Sequence, residues 1–228
     1  MKKLVIAIAI VMIFSCFNIT AFANEKTKKM IDSSFIKEAT IQINNNENGM
    51  YEICLSRTKL IESNIRSGEK TYETENFVIF DLDEAAVKKI NNDISLIKTG
   101  ANSRANLNDD SSIFDGTCNF YLNVNFNTKS GTQNRTLYKL NSATTSVSVR
   151  NGTSVTKMEL YYGCAGPLED ETQYCDYGDI IITRSPNTHT FNYPYIYEGA
   201  MLGASFHVTA SRGSGTQTAH VDCPIFVN

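Results

Sequence analysis

The stretch "CNFYLNVNF", residues 118–126, alternates strictly between apolar and polar side chains. Successive side chains of an extended strand point to opposite faces, so one face of this strand is apolar. The inward-facing set is Cys118, Phe120, Leu122, Val124 and Phe126. Three asparagines and Tyr121 face outward. A strand with one apolar and one polar face is typical of an antiparallel sheet that is buried on one side.

The remainder of 117–228 also consists of short runs with strand-like patterns and shows no helical periodicity. About seven short strands separated by Gly, Asn and Pro turns predict an antiparallel β-sandwich. Asn151-Gly152 predicts a hairpin with a two-residue loop that pairs Arg150 with Thr153. In that hairpin Val147 shares a face with Leu160. We therefore expect a mainly β protein.

Residues 24–98 predict a small α+β segment that precedes the sandwich. The Asn-rich run 45–49 and Ser67-Gly68 separate candidate strands. An amphipathic helix follows, with an N-cap at Asp83 and an end at Gly100. Its apolar stripe is Val87, Ile90, Ile94 and Ile97. Residues 99–116 are rich in Asn, Ser and Asp, which predicts a linker between two domains.

Residues 1–23 predict a secretory signal peptide of bacterial type. Two lysines open the chain, an apolar run follows, and Ala21-Phe22-Ala23 forms a small-x-small cleavage site. In an alternative interpretation Cys16 is lipidated and anchors the protein. No later run is long and apolar enough for a membrane span. We expect a secreted, extracellular protein.

The composition excludes several function classes. The formal net charge is −3 and no basic cluster is present, which argues against nucleic-acid binding. Nucleotide-binding glycine motifs and the GxSxG motif of hydrolases are missing. The acidic run 169–179 lacks the spacing of a calcium loop. No catalytic set emerges, so we expect a noncatalytic protein without a cofactor.

Five cysteines follow residue 23, and four of them lie in 117–228. Outside the cell an even group predicts disulfides. Three connectivities are open, and we favour Cys164–Cys175 and Cys118–Cys223. The first pair closes a short acidic loop and the second ties the first strand to the last. Cys54 is left over and is interpreted as a buried apolar residue rather than a reactive thiol.

The last two strands predict a hairpin closed by Gly213-Ser214. This even-length loop puts the apolar residues of both strands on one face. It also places His207 opposite His220 on the outward face, with Asp222 beside them. Two imidazoles and a carboxylate are a candidate site for a divalent metal such as Zn²⁺, Ni²⁺ or Cu²⁺. The alternative is a solvated polar sheet face.

Tyr193, Tyr195 and Tyr197 recur at every second position, which would line one face of a strand. Exposed rings on a sheet stack against sugars, so these residues are the candidate ligand-binding set. Pro194 argues for an edge strand or a bulge, and aromatic stripes more often pack inside a core. Core-and-edge packing is therefore the favoured alternative to a binding platform.

The segment "LGASFHVTASRGSG…AHVDC" resembles the closing hairpin of small secreted proteins of Gram-positive gut and clostridial bacteria. This resemblance implies a leader, a short α+β segment and a final β-domain. It implies no activity and assigns no site residue.

These patterns favour a noncatalytic extracellular binding or surface-interaction protein, with a glycan or another protein as partner. A second hypothesis is a secreted antimicrobial or toxin-like factor in which 24–98 is a pro-segment. A third is a metal-dependent hydrolase built on His207, His220 and Asp222.

Overall fold

The protein is a β-sandwich with helices on one outer face. The computed structural model describes residues 33–45, 50–100, 118–150 and 152–225. Two antiparallel sheets pack face to face, which confirms the predicted mainly β class. The predicted leader at 1–23, including Cys16, lies outside the described residues. In chain order the strands are β1 (Thr40–Asn45), β2 (Tyr51–Ser63), β3 (Lys70–Leu82), β4 (Cys118–Ser130), β5 (Thr136–Val149), β6 (Thr153–Pro167), β7 (Gln173–Ile181), β8 (Asn187–Thr190), β9 (Ile196–Tyr197), β10 (Met201–Arg212) and β11 (Gly215–Pro224).

The larger sheet has seven strands in the order β1-β2-β3-β4-β5-β8, with β9 also paired to β5. The smaller sheet has four strands in the order β11-β10-β6-β7. The apolar face of "CNFYLNVNF" is buried between the sheets, as the alternation predicted. Phe120 meets Phe206 of the smaller sheet edge-on, with ring centroids 6.0 Å apart. β4 and β10 therefore lie opposite each other at the centre of the sandwich.

Two helices cover part of the outer face of the larger sheet. They are α1 (Ser33–Glu38) and α2 (Glu84–Thr99). The predicted apolar stripe of α2 is buried, and it packs with Phe77 and Tyr121 of the sheet. The Asp83 side chain accepts a hydrogen bond from the Ala86 N–H at 2.7 Å, and Gly100 ends the helix with φ of 69°. Neither helix is long and apolar enough to span a bilayer.

The two predicted domains share one sheet. β3, from the predicted α+β segment, pairs with β4 along its length, residues 70–80 against 118–128. β3 also supplies Val78 and Phe80 to the sandwich interior. The boundary at 99–116 is therefore not a division between two cores. The predicted linker at 99–116 lies almost wholly outside the described residues, and its composition could not show that the strands on either side of it pair.

The turn after β5 differs from the predicted hairpin. The Thr153 N–H donates to the Arg150 carbonyl at 3.1 Å, as a two-residue loop requires. However, β5 belongs to the seven-stranded sheet and β6 to the four-stranded sheet. Val147 and Leu160 therefore share the core by facing each other across the sandwich rather than along one sheet. Both arrangements bury the same residues, so the apolar pattern alone could not separate them.

Neither predicted disulfide is formed among the described residues. Cys175 pairs in register with Ala165, and Cys164 with Asp176. Because neighbouring positions of a strand face opposite ways, Cys164 points into the core while Cys175 is exposed on the outer face. A direct bridge between the two would require a register shift.

Cys118 and Cys223 lie at different levels of the sandwich. Cys118 pairs with Phe80, which lines a cavity with Gln217 near the start of β11. Cys223, near the end of β11, adjoins Asn76 instead. Four residues of strand separate Phe80 from Asn76, about 13 Å. A disulfide needs Cα atoms about 4.4–6.8 Å apart, so the predicted bridge does not fit this register.

Candidate functional site

The tyrosine stripe does not form an exposed platform, which corrects the prediction of a ligand-binding set. Tyr193 is 6% exposed and Tyr197 is fully buried. The Tyr193 ring stacks on Phe191 at 5.5 Å. Only Ile196 and Tyr197 are in a strand, so the strict alternation that would align three rings does not extend over the stretch. Core-and-edge packing describes these two tyrosines.

The Tyr197 side chain is fixed by contacts with Thr132 and Arg135. Its hydroxyl accepts a hydrogen bond from the Thr132 N–H at 2.9 Å and forms a second with Thr132 Oγ1 at 2.7 Å. The Arg135 guanidinium lies 3.8 Å from the ring centroid. These contacts fix the 3₁₀ turn Thr132–Asn134 between β4 and β5.

Tyr195 is the partly exposed member of the three. Its hydroxyl is hydrogen-bonded to the Glu69 carboxylate, and Lys129 Nζ lies 4.5 Å from its ring centroid. Burial and the Glu69 hydrogen bond raise the pKa of Tyr195 to about 12. The ring is thus occupied by neighbours of its own chain rather than presented to a ligand.

The closing hairpin has the predicted register. His207 pairs with His220, and Ser205 with Asp222. The loop consists of Gly213-Ser214, with a φ of 60° at the glycine. All four side chains of these pairs lie on the outward face of the smaller sheet, opposite to the buried Phe206 and Val221.

These side chains do not form a metal centre. The two imidazole rings are tilted against each other, with centroids 5.0 Å apart and planes at 31°. A metal needs the in-plane lone pairs of its imidazoles to converge on one point. His207 Nε2 is instead hydrogen-bonded to Ser205 Oγ at 3.0 Å, and His220 Nε2 lies 3.8 Å from Asp222 Oδ2. Within the described residues no group of three His, Cys, Asp or Glu side chains is placed to hold a metal.

The histidines belong to a larger exposed surface. The Tyr161 ring contacts the His207 ring with centroids 4.6 Å apart, so three rings follow one another across the sheet. On the same outward face Tyr161, Tyr177 and Ile181 are 37%, 54% and 63% exposed. We call this surface, formed by Tyr161, Tyr177, Ile181, His207 and His220, the tyrosine–histidine face. Both helices cover the other sheet, so they leave this face open.

The tyrosine–histidine face is bordered by acceptor groups. Asp179 pairs in register with Tyr161, and Asp222 lies beside His220. Glu159 Oε1 forms an ion pair with Lys157 Nζ at 2.7 Å. Burial and the neighbouring His220 lower the pKa of His207. The face therefore combines phenol and imidazole rings with the exposed carboxylates of Asp179 and Asp222.

A cavity opens at one end of this face. Its volume is about 320 Å³, and its walls include Met201, Ser205 and Asp222. This size lies at the lower end of the range of small-molecule sites. It adjoins the hydroxyl and the carboxylate that flank the histidine pair, so one ligand could contact the rings and the cavity together.

A second polar cluster lies on the larger sheet, and its side chains bond to one another. The Glu75 carboxylate is 5% exposed and accepts hydrogen bonds from Arg57 Nε at 3.0 Å and from the Tyr121 hydroxyl at 3.1 Å. Lys59 Nζ contacts Glu75 at 3.1 Å and Glu73 at 2.8 Å. Arg57, Tyr121 and Lys59 of the same chain therefore surround the Glu75 carboxylate. This cluster is a structural network rather than an acid–base pair.

The sequence patterns did not single out Tyr161, Tyr177 and Ile181. The signal was present for two of them: with Leu160 and Ile180 inward, strict alternation places Tyr161 and Ile181 outward. An outward apolar residue in a half-buried strand is the informative feature, because it breaks the inside-outside pattern. The ligand-binding prediction was instead based on the repeated tyrosines Tyr193, Tyr195 and Tyr197.

Comparison of the chain with protein-family models, with curated proteins and with solved structures finds no match. The function must therefore be inferred from the residues of this chain.

Proposed function

We propose that the protein is a noncatalytic extracellular binding protein that holds a glycan on its tyrosine–histidine face. One observation carries this proposal: Tyr161, His207 and His220 form a continuous row of rings on the outer side of the smaller sheet, which neither described helix covers. Solvent-exposed rings in contact with one another are an apolar surface that folding alone does not explain.

The chemistry around the rings favours a sugar. The C–H face of a sugar ring packs on an aromatic ring, while its hydroxyls need acceptors at the edge. Asp179, Asp222 and the Ser205 hydroxyl border the row and can accept or exchange such hydrogen bonds. Since these neighbours are mostly carboxylates, neutral or amino sugars fit better than phosphorylated or acidic ones.

The extracellular part of the proposal rests on the signal-peptide pattern at 1–23. Intact mass of the protein secreted by its own host would locate the mature terminus. A chain that begins at Asn24 supports secretion by cleavage, and a lipid-modified Cys16 would make the protein surface-anchored.

A glycan array probed with purified protein tests the binding activity. We expect binding to neutral or amino glycans, and Tyr161→Ala should weaken the affinity about tenfold, since stacking is worth about 1.4 kcal/mol. Tyr195→Ala is the matched control, because it removes a partly exposed tyrosine that lies beside Lys129 of the opposite sheet. Loss of binding only in Tyr195→Ala would contradict the assignment, as would a protein that binds no glycan and instead binds a protein partner.

A further inference from the structure

Cys54 and Cys223 approach each other from opposite sheets at one edge of the sandwich. Cys54 lies on β2 and pairs in register with Val78 of β3. Its side chain is on the inward face, where it packs against the main core. Cys223 lies on β11, an edge strand of the smaller sheet that packs against β3. Both thiols therefore point into the space between β3 and β11.

Cys54 and Cys223 lie at the same height along the strands, because both are neighbours of Asn76. Ser56 pairs with Asn76, so Cys54 and Asn76 are diagonal neighbours on adjacent strands. The Asn76 carboxamide adjoins Cys223 and favours its thiolate, while the proximity of Cys54 disfavours it. Asn76 is 4% exposed, and its Nδ2 has no hydrogen-bond acceptor. This buried donor lies beside the thiol pair and can donate to a sulfur.

We propose that Cys54 and Cys223 form a disulfide that ties β2 of the larger sheet to β11 of the smaller one. The bridge would join two strands that no backbone ladder connects. It replaces the Cys118–Cys223 pair that the sequence favoured, and it uses the cysteine that the sequence left over.

The oxidant is a disulfide, either oxidised glutathione or a thiol–disulfide oxidoreductase. Cys54 is partly exposed and reacts first: its thiolate attacks one sulfur of the oxidant, and a thiolate leaves. The Cys223 thiolate then attacks Cys54 Sγ and releases the second thiol. Two protein thiols are oxidised, one disulfide is reduced to two thiols, and the two protons end on the released thiols.

The environment of the pair sets the rate. Burial raises the pKa of Cys54 to about 11 and that of Cys223 to about 12. Thiolates are the reactive species, so in the folded protein oxidation should be slow at neutral pH. It should accelerate by up to about tenfold for each pH unit while the thiolates remain a minor fraction.

The test uses the reduced full-length chain incubated with oxidised glutathione, quenched in acid and alkylated in denaturant. Peptide mapping without reduction should recover the Cys54 and Cys223 peptides joined, at a rate that rises with pH. Cys118→Ser is the control that should keep this bridge, and Cys54→Ser should abolish it. Recovery of Cys118 joined to Cys223 would overturn the proposal. So would Cys54 and Cys223 that stay unlinked in wild-type protein while Cys54 carries a stable glutathione adduct.

Discussion

Removal of one hydroxyl group should lower the stability of the fold at one position of the tyrosine stripe and not at another. Tyr197→Phe deletes an oxygen that accepts a hydrogen bond from the Thr132 N–H and bonds to Thr132 Oγ1. Tyr193→Phe deletes an oxygen that is buried without a hydrogen-bond partner. Both substitutions keep the ring, so the packing of the aromatic residues is preserved and the difference reports on the hydroxyl alone.

The magnitudes follow from the partners. Each net hydrogen bond contributes about 0.5–1.5 kcal/mol, and the Tyr197 hydroxyl makes two of them with the exposed Thr132. We therefore expect Tyr197→Phe to lower the free energy of unfolding by about 1–3 kcal/mol. For Tyr193→Phe we expect no loss, or a gain of up to about 1 kcal/mol, because the variant no longer desolvates an unpaired hydroxyl.

Urea unfolding followed by circular dichroism measures both variants against the wild type. An unchanged m-value with a lower midpoint for Tyr197→Phe alone is the expected result. The reasoning is refuted if Tyr193→Phe is the more destabilised of the two. It is also refuted if Tyr197→Phe has wild-type stability, since that would mean the Thr132 contacts contribute nothing.

Three further predictions test the fold. Cleavage within 99–116 should leave both pieces associated on a native gel-filtration column, because β3 and β4 pair along their length; a free, stable C-terminal piece would support a pro-segment instead. Gly203→Ala should be far more destabilising than Gly213→Ala, because a Cβ at Gly203 would lie 2.3 Å from the Cys223 carbonyl oxygen whereas none crowds Gly213; equal midpoints in urea would contradict this. In reduced protein, the raised pKa values of Cys54 and Cys223 mean that the folded state keeps protons that the unfolded chain loses above the ordinary thiol value of 9.0. The free energy of unfolding should therefore fall as the pH rises from that value toward about 11 to 12, and a flat profile above pH 9.0 would contradict the burial of these thiols.

The sequence predicted local structure well where a period or a cap was explicit. The α2 helix, its N-cap at Asp83 and its end at Gly100 are all confirmed. The register of the last hairpin is confirmed as well, because an odd-length loop would have turned one apolar face outward. In each case the deciding information lies within a few residues of chain.

Long-range arrangement could not be derived in the same way. The pairing of β3 with β4 joins strands on either side of the 99–116 segment, and no local pattern records it. The failure of the Cys164–Cys175 prediction has the same origin, since the face of each cysteine depends on a register that the connecting loop does not fix. The short helix α1 was missed because six residues are too few to show a period.

In the candidate site, too, the local pairing could be predicted from the sequence and the long-range arrangement could not. The sequence placed His207 opposite His220 correctly but could not show that His207 Nε2 is hydrogen-bonded to Ser205, nor that no three ligating side chains among the described residues converge. It also could not show that Tyr161 extends the row, because β6 joins β10 only in the folded sheet.

The most direct test of the account is amide chemical-shift mapping with the tightest-binding neutral or amino glycan. We expect perturbations concentrated around Tyr161, His207 and His220 and at the adjoining cavity, and we expect Tyr161→Ala to need about ten times more glycan for the same perturbation. Perturbations centred on Tyr195 and the opposite sheet, or none at all at saturating glycan, would contradict it.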